Sequence, residues 1–402
     1  MLNSTTVSGL AGAMTRSLTF NQGHRHHRQG GNNDTDGGIC SVLRKCRGKE
    51  HHGHPPNDND GPPFGVARRE PPSKAPLTKP ELILRFSLRF IMGRHKRRLT
   101  LSTNTLKERE WFTTQLDCLI WWTEDIEPSN VSTMVDIDMH AFDHYEIETF
   151  TSGSKTRNVY RTGTGPAVIV IHEIPGITPL VAAFGEKVAE RGMTAVLPDL
   201  FGTPGRQPSG GYIAQSLAQA CVSREFTLLA TNKTSPVTQW LRALAAVEHA
   251  RCGGRGVGAV GMCLTGGFAL AMMVDPVVVA PVLSQPSLPF PVSKKHRSAV
   301  GISDDDLAIV KERSGNDTCL IGLRFSGDAT SPPERFGRLR RELGDGFLGI
   351  EIDSSEGNPW GYKKRAHSVL TEDYSDAAGS PTRAALDTVL DFFAQKTGVS
   401  TA

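Results

Sequence analysis

The chain has 402 residues, 22% of them charged, and its formal net charge at pH 7 is only +3. A charge balance of this kind creates no field that would steer the protein to nucleic acid or to an anionic membrane. The longest apolar runs, AVIVI at 167–171 and VVVAPVL at 277–283, are far shorter than a membrane span. Composition therefore predicts an ordinary soluble protein that binds no nucleic acid and has no membrane-spanning helix.

The cysteines bear on the cellular compartment. The chain has 7 of them, and they are scattered without a CxxC pair. This pattern argues against a disulfide framework and against a four-cysteine zinc site. Unpaired cysteines favour a reducing compartment, so we predict a cytoplasmic protein. The N-terminal stretch MLNSTTVSGLAGAMTRSLTF lacks acidic residues and contains Arg16, which leaves an organelle transit peptide as an alternative.

The N-terminal third of the chain lacks the pattern of a folded domain. Residues 1–82 are rich in Gly, Pro, Asn, Asp and His, and we predict a low-complexity, disordered segment. Residues 83–133 are predicted to be a basic linker segment. Within it, residues 83–108 favour a poorly ordered chain, the alternative being a basic amphipathic helix or hairpin that touches a membrane surface or RNA. Histidine clusters at 24–28 and 51–54 match no closed metal site, so no metal ligand is predicted.

From residue 134 to residue 402 the sequence alternates between apolar strand patterns and helical patterns. An alternative start at Met134 would leave the preceding residues out of the protein. The unit at 165–202 is typical of strand, helix, strand, with Pro179 suited to the first helical turn and Gly192 to the helix end. The later predicted elements are a helix at 235–251, a strand at 257–262, a helix at 264–274, strands at 277–283 and 318–327, a helix at 332–344, a strand at 347–353 and a helix at 382–398. Doubly buried strands with helices between them predict an α/β domain whose sheet is mostly parallel and doubly wound.

Candidate reactive side chains follow these strands, where such sheets carry their chemistry. Cys263 lies in GMCLTGG between a strand and a helix, and small neighbours there allow the sharp turn that exposes a nucleophile. Thr265 departs from the pattern G-x-nucleophile-x-G because it takes the place of the second glycine. The chain order Cys263, Asp328, His367 is that of the α/β-hydrolases.

Each of these three residues has a chemical reason to be there. Cys263 gains thiolate character at a helix N-terminus, His367 can hold a proton as an imidazolium, and Asp328 can fix the imidazole tautomer. The plainer alternatives are that Cys263 is an ordinary buried thiol, that Asp328 caps a helix and that His296 takes the place of His367. Taken together, the three side chains predict an acyl-transfer centre.

Over roughly 150–397 the sequence resembles the dienelactone hydrolase family, α/β-hydrolases that use a cysteine in place of serine. The resemblance rests on VIVIHEIPGI, PDLFG, GAVGMCLTGGFALAM, FSGDATSPPERF and RAHSVL. The first of these motifs contains Glu173, a carboxylate that general α/β-hydrolases do not place there.

The resemblance implies an α/β-hydrolase fold and a carboxymethylenebutenolidase-like activity on esters or lactones, with maleylacetate-like products from dienelactones in aromatic catabolism. It implies that Glu173 pairs with the resting Cys263 until substrate binds. The backbone N–H groups of Ile174 and Leu264 would form the oxyanion hole. A thioacyl-enzyme would then be released by a water that His367 activates. No metal or organic cofactor is implied.

The resemblance also implies an arginine that holds a substrate carboxylate, and Arg206 and Arg224 are both available. The segment 284–317 is predicted to be a loop long enough to reshape the pocket. We expect a monomer whose partner is a small-molecule ester or lactone. The alternative is a non-catalytic protein of the same fold, a thiol sensor or ligand-binding protein that uses Cys263. Thr265 and the long loop keep this alternative open.

Overall fold

The structure is a computed structural model, and it describes residues 85–92, 95–102, 137–222, 235–315 and 318–399. The predicted disordered segment 1–82 and most of the predicted linker 83–133 lie outside the described residues. Within the linker, strands Arg85–Met92 (β1) and His95–Ser102 (β2) pair as an antiparallel hairpin. A hairpin was one of the two regular structures given as alternatives for residues 83–108. The domain boundaries themselves stay predictions.

Eight of the described strands form one sheet. They are Glu146–Ser152 (β3), Lys155–Gly163 (β4), Ala167–Ile171 (β5), Thr194–Pro198 (β6), Val257–Met262 (β7), Val278–Ser284 (β8), Leu320–Phe325 (β9) and Phe347–Ile352 (β10). Their order is β10-β9-β8-β7-β5-β6-β4-β3. Pairing is parallel from β10 to β6 and antiparallel where β4 meets β6 and β3. The predicted α/β architecture with a mostly parallel sheet is confirmed.

Helices cover both faces of this sheet. Their bounds are Pro179–Glu190 (α1), Gly210–Val222 (α2), Pro236–Cys252 (α3), Gly266–Met272 (α4), Lys294–Arg297 (α5), Asp304–Gly315 (α6), Pro333–Leu343 (α7) and Pro381–Thr397 (α8). Single-turn 3₁₀ helices lie at His140–Phe142, Cys263–Thr265 and Gly344–Gly346.

Alternate side chains of β5 pack into two different hydrophobic cores. Ile169 and Ile171 pack with α3 and α4, whereas Val168 and Val170 pack with α1 and α8. The continuous apolar run of β5 therefore reflects burial on both faces.

The first crossover helix begins and ends as the sequence predicts. Thr178 caps α1 by accepting a hydrogen bond from the N–H of Val181 at 3.3 Å, and Pro179 occupies the first turn. Gly192 follows the helix with φ of 74°, a left-handed conformation that glycine adopts without steric cost. These two ends fix the length of the connection between β5 and β6.

The segment 284–317 is not a plain loop, and that prediction is wrong in part because the segment contains α5 and α6. The hydroxyl of Ser303 accepts a hydrogen bond from the N–H of Asp306 at 3.0 Å. Three aspartates at 304–306 lie in the first turn of α6, where carboxylates favour the helix dipole. Only Leu307 and Val310 of α6 are buried apolar residues. The apolar stripe is thus too sparse to predict the helix by periodicity.

The described part of the chain contains no helix with the length and apolar character to cross a bilayer. Cys252 and Cys263 are free thiols, whereas Cys319 is disulfide-bonded. The expectation of unpaired cysteines is therefore wrong at Cys319. The cytoplasmic location rested on that expectation and stays a prediction.

Candidate active site

The strand order changes direction at β5, and the candidate site lies at this point. From β5 the chain adds β6 on one side and then places β7 on the other side, continuing outward through β8, β9 and β10. In open α/β sheets, ligands bind beyond the carboxyl ends of the strands that flank such a reversal. Glu173 follows β5 and Cys263 follows β7, so these side chains come from the two flanking strands. Asp328 follows β9, and His367 lies in the loop after β10.

Cys263 occupies a strained turn between β7 and α4. Its φ is +56°, a left-handed value that is uncommon for a residue with a side chain. A Cβ at Gly261 would lie 2.3 Å from the carbonyl oxygen of Thr265, and a Cβ at Gly266 would lie 2.7 Å from Pro286. Glycine is therefore required at both positions. This is the geometry that lifts a nucleophile out of a strand end.

The thiol of Cys263 is only partly buried and has a hydroxyl beside it. The Oγ of Ser287 lies 3.7 Å from Sγ, and the N–H of Ser287 donates to the carbonyl of Cys263 at 2.9 Å. Ser287 was not predicted from the sequence, because nothing in its local pattern shows that the chain after β8 returns to the cysteine.

His367 and Asp328 form a close pair. The Nδ1 of His367 lies 2.7 Å from Oδ2 of Asp328 and 3.1 Å from the hydroxyl of Thr330. The other carboxylate oxygen of Asp328 accepts from the N–H and hydroxyl of Thr330 at 2.9 and 2.7 Å, and from the N–H of Ser331 at 3.2 Å. Asp328 therefore orients the imidazole and is itself held by its own loop. Nδ1 is occupied, so Nε2 is the nitrogen left to interact with Cys263.

The electrostatics of the pair follow from this geometry. Burial acts to lower the pKa of His367, but the charges of Asp328 and Cys263, together with hydrogen bonds to both, raise that pKa well above its ordinary value. Burial acts to raise the pKa of Asp328, yet His367 and the hydrogen bonds from Thr330 lower it overall. The arrangement thus favours the protonated form of His367 beside the carboxylate of Asp328.

Glu173 is buried, with only 4% of its surface exposed. One carboxylate oxygen accepts from the hydroxyl of Ser368 at 2.7 Å and from Nε2 of Gln285 at 3.2 Å, and the other accepts from the hydroxyl of Thr371. Among the described residues, no hydrogen bond joins Glu173 to Cys263. The carboxylate is held by three neutral donors, two of which lie in the loop that carries His367.

The two backbone groups proposed for an oxyanion hole follow β5 and β7. Ile174 lies three residues beyond Ile171, and Leu264 follows Cys263 directly. Within the described residues, neither of their N–H groups donates a hydrogen bond. Donors without a protein acceptor are what an oxyanion hole requires.

Arg206 and Arg224 are the two candidates for binding a substrate carboxylate, and only Arg206 lies within the described residues. The guanidinium of Arg206 stacks on the ring of Tyr212, with 4.0 Å from its central carbon to the ring centroid. Arg206 lies in the loop after β6, at the same edge of the sheet as Glu173. Arg224 lies outside the described residues, so its role stays a prediction.

Two buried arginines, neither of them predicted from the sequence, support the loops around the site. Arg324 donates to the carbonyls of Ser331, Ser326 and Asp328 at 2.7, 3.1 and 3.3 Å. Arg335 donates to four carbonyls in the segment after β8, those of Pro286, Pro289, His296 and Ala299. Burial lowers the pKa of Arg335 to about 9, against the opposing charge of Asp328. These side chains bind backbone from distant segments, which no local motif reveals.

No three His, Cys, Asp or Glu residues in the described ranges cluster in a way that would hold a metal ion.

Residues 155–302 match the dienelactone hydrolase family. The resemblance read from the sequence is confirmed for this stretch. The matched stretch includes Glu173, Ile174, Arg206, Cys263 and Leu264. Asp328 and His367 lie beyond it.

Solved structures with a similar fold include a protein assigned as a dienelactone hydrolase from Klebsiella pneumoniae subsp. pneumoniae MGH 78578. It is 17% identical, with a TM-score of 0.45, and the match covers 62% of this chain and 98% of that one. A dienelactone hydrolase-like promiscuous phosphotriesterase from metagenomic libraries is 14% identical, with a TM-score of 0.44 and coverage of 63% and 98%. An α/β hydrolase from Penicillium sp. sh18 is 13% identical, with a TM-score of 0.42 and coverage of 63% and 99%. No curated protein matches the chain.

Proposed function

We propose that this protein hydrolyses carboxylic esters or lactones through Cys263, His367 and Asp328. One observation carries the proposal. Cys263 stands at positive φ at the carboxyl end of β7 and interacts with an imidazole whose other nitrogen lies 2.7 Å from a buried carboxylate. This order of nucleophile, base and orienting acid is the arrangement that activates a nucleophile for acyl transfer. The match to the dienelactone hydrolase family supports hydrolase activity.

The proposed reaction has two halves. In the first, the thiolate of Cys263 forms a C–S bond to the carbonyl carbon, and the π electrons move to the oxygen. The tetrahedral intermediate then expels the alkoxide, which takes a proton from His367. In the second, His367 removes a proton from water as the hydroxide adds to the thioester carbon. Collapse of that intermediate breaks the C–S bond, which returns the thiolate and releases the acid.

The surrounding groups have proposed roles in both halves. The N–H groups of Ile174 and Leu264 stabilise the oxyanion, since they follow β5 and β7 and neither donates a hydrogen bond within the described residues. Glu173 controls the resting state of the site. Its hydrogen bonds to Ser368 and Thr371 tie it to the loop that carries the imidazole of His367.

We propose dienelactone-type lactones, with maleylacetate-like products, as the substrate class. Such a substrate carries a carboxylate, and Arg206 supplies a cation at the same edge of the sheet. A neutral ester lacks that carboxylate. Hydrolysis of a neutral ester therefore tests the reaction class, and the rate on the lactone relative to that ester tests the substrate class.

The test is hydrolysis of p-nitrophenyl acetate and of a dienelactone by the full chain, beside Cys263→Ala and Cys263→Ser. Turnover that disappears in Cys263→Ala is the expected result. A preference for the lactone in kcat/KM supports the substrate class. Readily alkylated Cys263 without turnover of either substrate would overturn the hydrolase proposal and favour the thiol sensor.

A further inference from the structure

The backbone pairing between β5 and β7 ends at Ile171 and Gly261. Beyond that pair, the first segment continues through His172 to Ile174, and the second continues through Met262 to Leu264. The two N–H groups of the proposed oxyanion hole therefore lie on segments that the sheet ladder no longer holds together. An oxyanion hole needs its donors at a fixed separation, because each must lie about 3 Å from the same oxygen.

The hydroxyl of Thr265 bridges these two segments. Its Oγ1 lies 2.8 Å from the carbonyl oxygen of Ile171 and 3.1 Å from that of His172. On the other segment it lies 2.8 Å from the carbonyl oxygen of Met262 and accepts from the N–H of Met262 at 3.0 Å. One hydroxyl thus takes over the connection where the ladder stops.

Thr265 is fully buried, so bulk water does not reach the position of its hydroxyl. Its carbonyl oxygen lies so near Gly261 that a Cβ there would come within 2.3 Å. The turn is therefore closed tightly around residue 265. Removing the hydroxyl leaves buried polar groups of both segments without this partner.

We infer that Thr265 is a positioning residue that sets the separation of the Ile174 and Leu264 N–H groups. This role rests on the proposed function, since it concerns the oxyanion of the thioester-forming step. Thr265 touches no reacting atom. The threonine that stands in place of the usual glycine therefore has a structural purpose in this turn.

Two reactions of the same thiol separate this role from a general effect on Cys263. Ester attack places negative charge on the carbonyl oxygen and needs the oxyanion donors. Alkylation by iodoacetamide forms a C–S bond while iodide leaves with the C–I electron pair, and no charge develops on an oxygen. A change in the separation of the two N–H donors therefore lowers the rate of ester attack and leaves the rate of alkylation unchanged.

The experiment measures both rates in the full chain for Thr265→Val, Thr265→Ala and Thr265→Ser. Valine keeps the shape and loses the hydroxyl, serine keeps the hydroxyl and loses the methyl group, and alanine guards against a folding defect peculiar to valine. We expect acylation by p-nitrophenyl acetate to fall at least about tenfold in the valine and alanine variants, as part of the 10²–10³-fold effect of a lost donor. The serine variant stays within about threefold of wild type, and iodoacetamide alkylation stays within about twofold in all three.

Three results would overturn the inference. The first is unchanged acylation in both variants that lack the hydroxyl, and the second is an equal loss in the serine variant. The third is a parallel loss of acylation and alkylation, which would place the effect on the thiol or on the fold. A wild-type chain without Cys263-dependent turnover would instead overturn the proposed function, and this role with it.

Discussion

The buried carboxylate of Glu173 accepts a 2.7 Å hydrogen bond from the hydroxyl of Ser368, the residue that follows His367. A group at the end of β5 thereby holds the loop that carries the proposed base, 195 residues later in the chain. Thr371 of the same loop donates to the other oxygen. Glu173 is thus tied to the position of the imidazole.

Loss of this anchor should impair catalysis. We expect Glu173→Ala to lower ester turnover by at least about tenfold, because a small displacement of the base is sufficient for such a loss. Glu173→Gln should lose less, since its amide oxygen can still accept from one hydroxyl. Steady-state hydrolysis of p-nitrophenyl acetate measures both, with the exposed Glu356→Ala as control. Wild-type turnover in Glu173→Ala would contradict the anchoring role.

The same variants test the gating that the family resemblance implies. If Glu173 restrains the resting thiol, Glu173→Gln should be alkylated by iodoacetamide several times faster than the wild type. An unchanged alkylation rate would contradict the gate and leave the anchoring role standing.

Asp328 should be essential for turnover and dispensable for the fold. An asparagine at this position can donate its amide to Nδ1 of His367, which stabilises the wrong imidazole tautomer. We expect Asp328→Asn to lower kcat by about 10³-fold or more. The exposed Asp353→Asn is the matched control, and thermal melting verifies the fold. A loss of less than about tenfold would rule out the proposed orienting role.

Arg206 should affect substrates with a carboxylate only. We expect Arg206→Gln to raise KM for a dienelactone by about tenfold, the equivalent of one charge-assisted hydrogen bond, and to leave p-nitrophenyl acetate unchanged. Arg383→Gln, at an exposed position of α8, serves as control. Equal effects on the two substrates would show that Arg206 supports its loop through Tyr212 and does not bind the anion.

His172 should make stability depend on pH. It is fully buried, its Nδ1 lies 3.0 Å from the carbonyl of Glu173, and its Nε2 accepts from the N–H of Leu200 at 3.1 Å. Burial lowers the pKa of His172 to about 4; the hydrogen bond to Glu173 opposes this, and the charge of Arg157 reinforces it.

Because the folded pKa lies below the unfolded value, the neutral form is stabilised by folding. This contribution is complete above about pH 6.5 and is lost as the pH falls towards 4, by up to about 3 kcal/mol. Urea unfolding at pH 7, 5 and 4 should show a smaller decrease in the free energy of unfolding for His172→Gln than for wild type. His140→Gln, an exposed change, should follow the wild type. Identical pH profiles for wild type and His172→Gln would contradict the buried neutral histidine.

The sequence by itself determined the fold class and the order of the reactive residues. Strands buried on both faces have continuous apolar runs such as that of β5, and Pro179 and Gly192 mark the ends of a helix through local backbone preferences. Cys263, Asp328 and His367 were predicted because each follows a strand and because their order along the chain is that of the α/β-hydrolases. These features depend on neighbours in sequence, which a pattern can report. Helix α6 escaped prediction because only two of its apolar residues are buried.

Only the tertiary structure decided what each reactive group contacts. The three donors to Glu173 come from positions 112, 195 and 198 residues away. Whether Thr265 fits the turn depended on carbonyls at the end of a different strand, 94 and 93 residues earlier. Local periodicity carries no information about such partners, because they are brought together by the packing of the whole sheet.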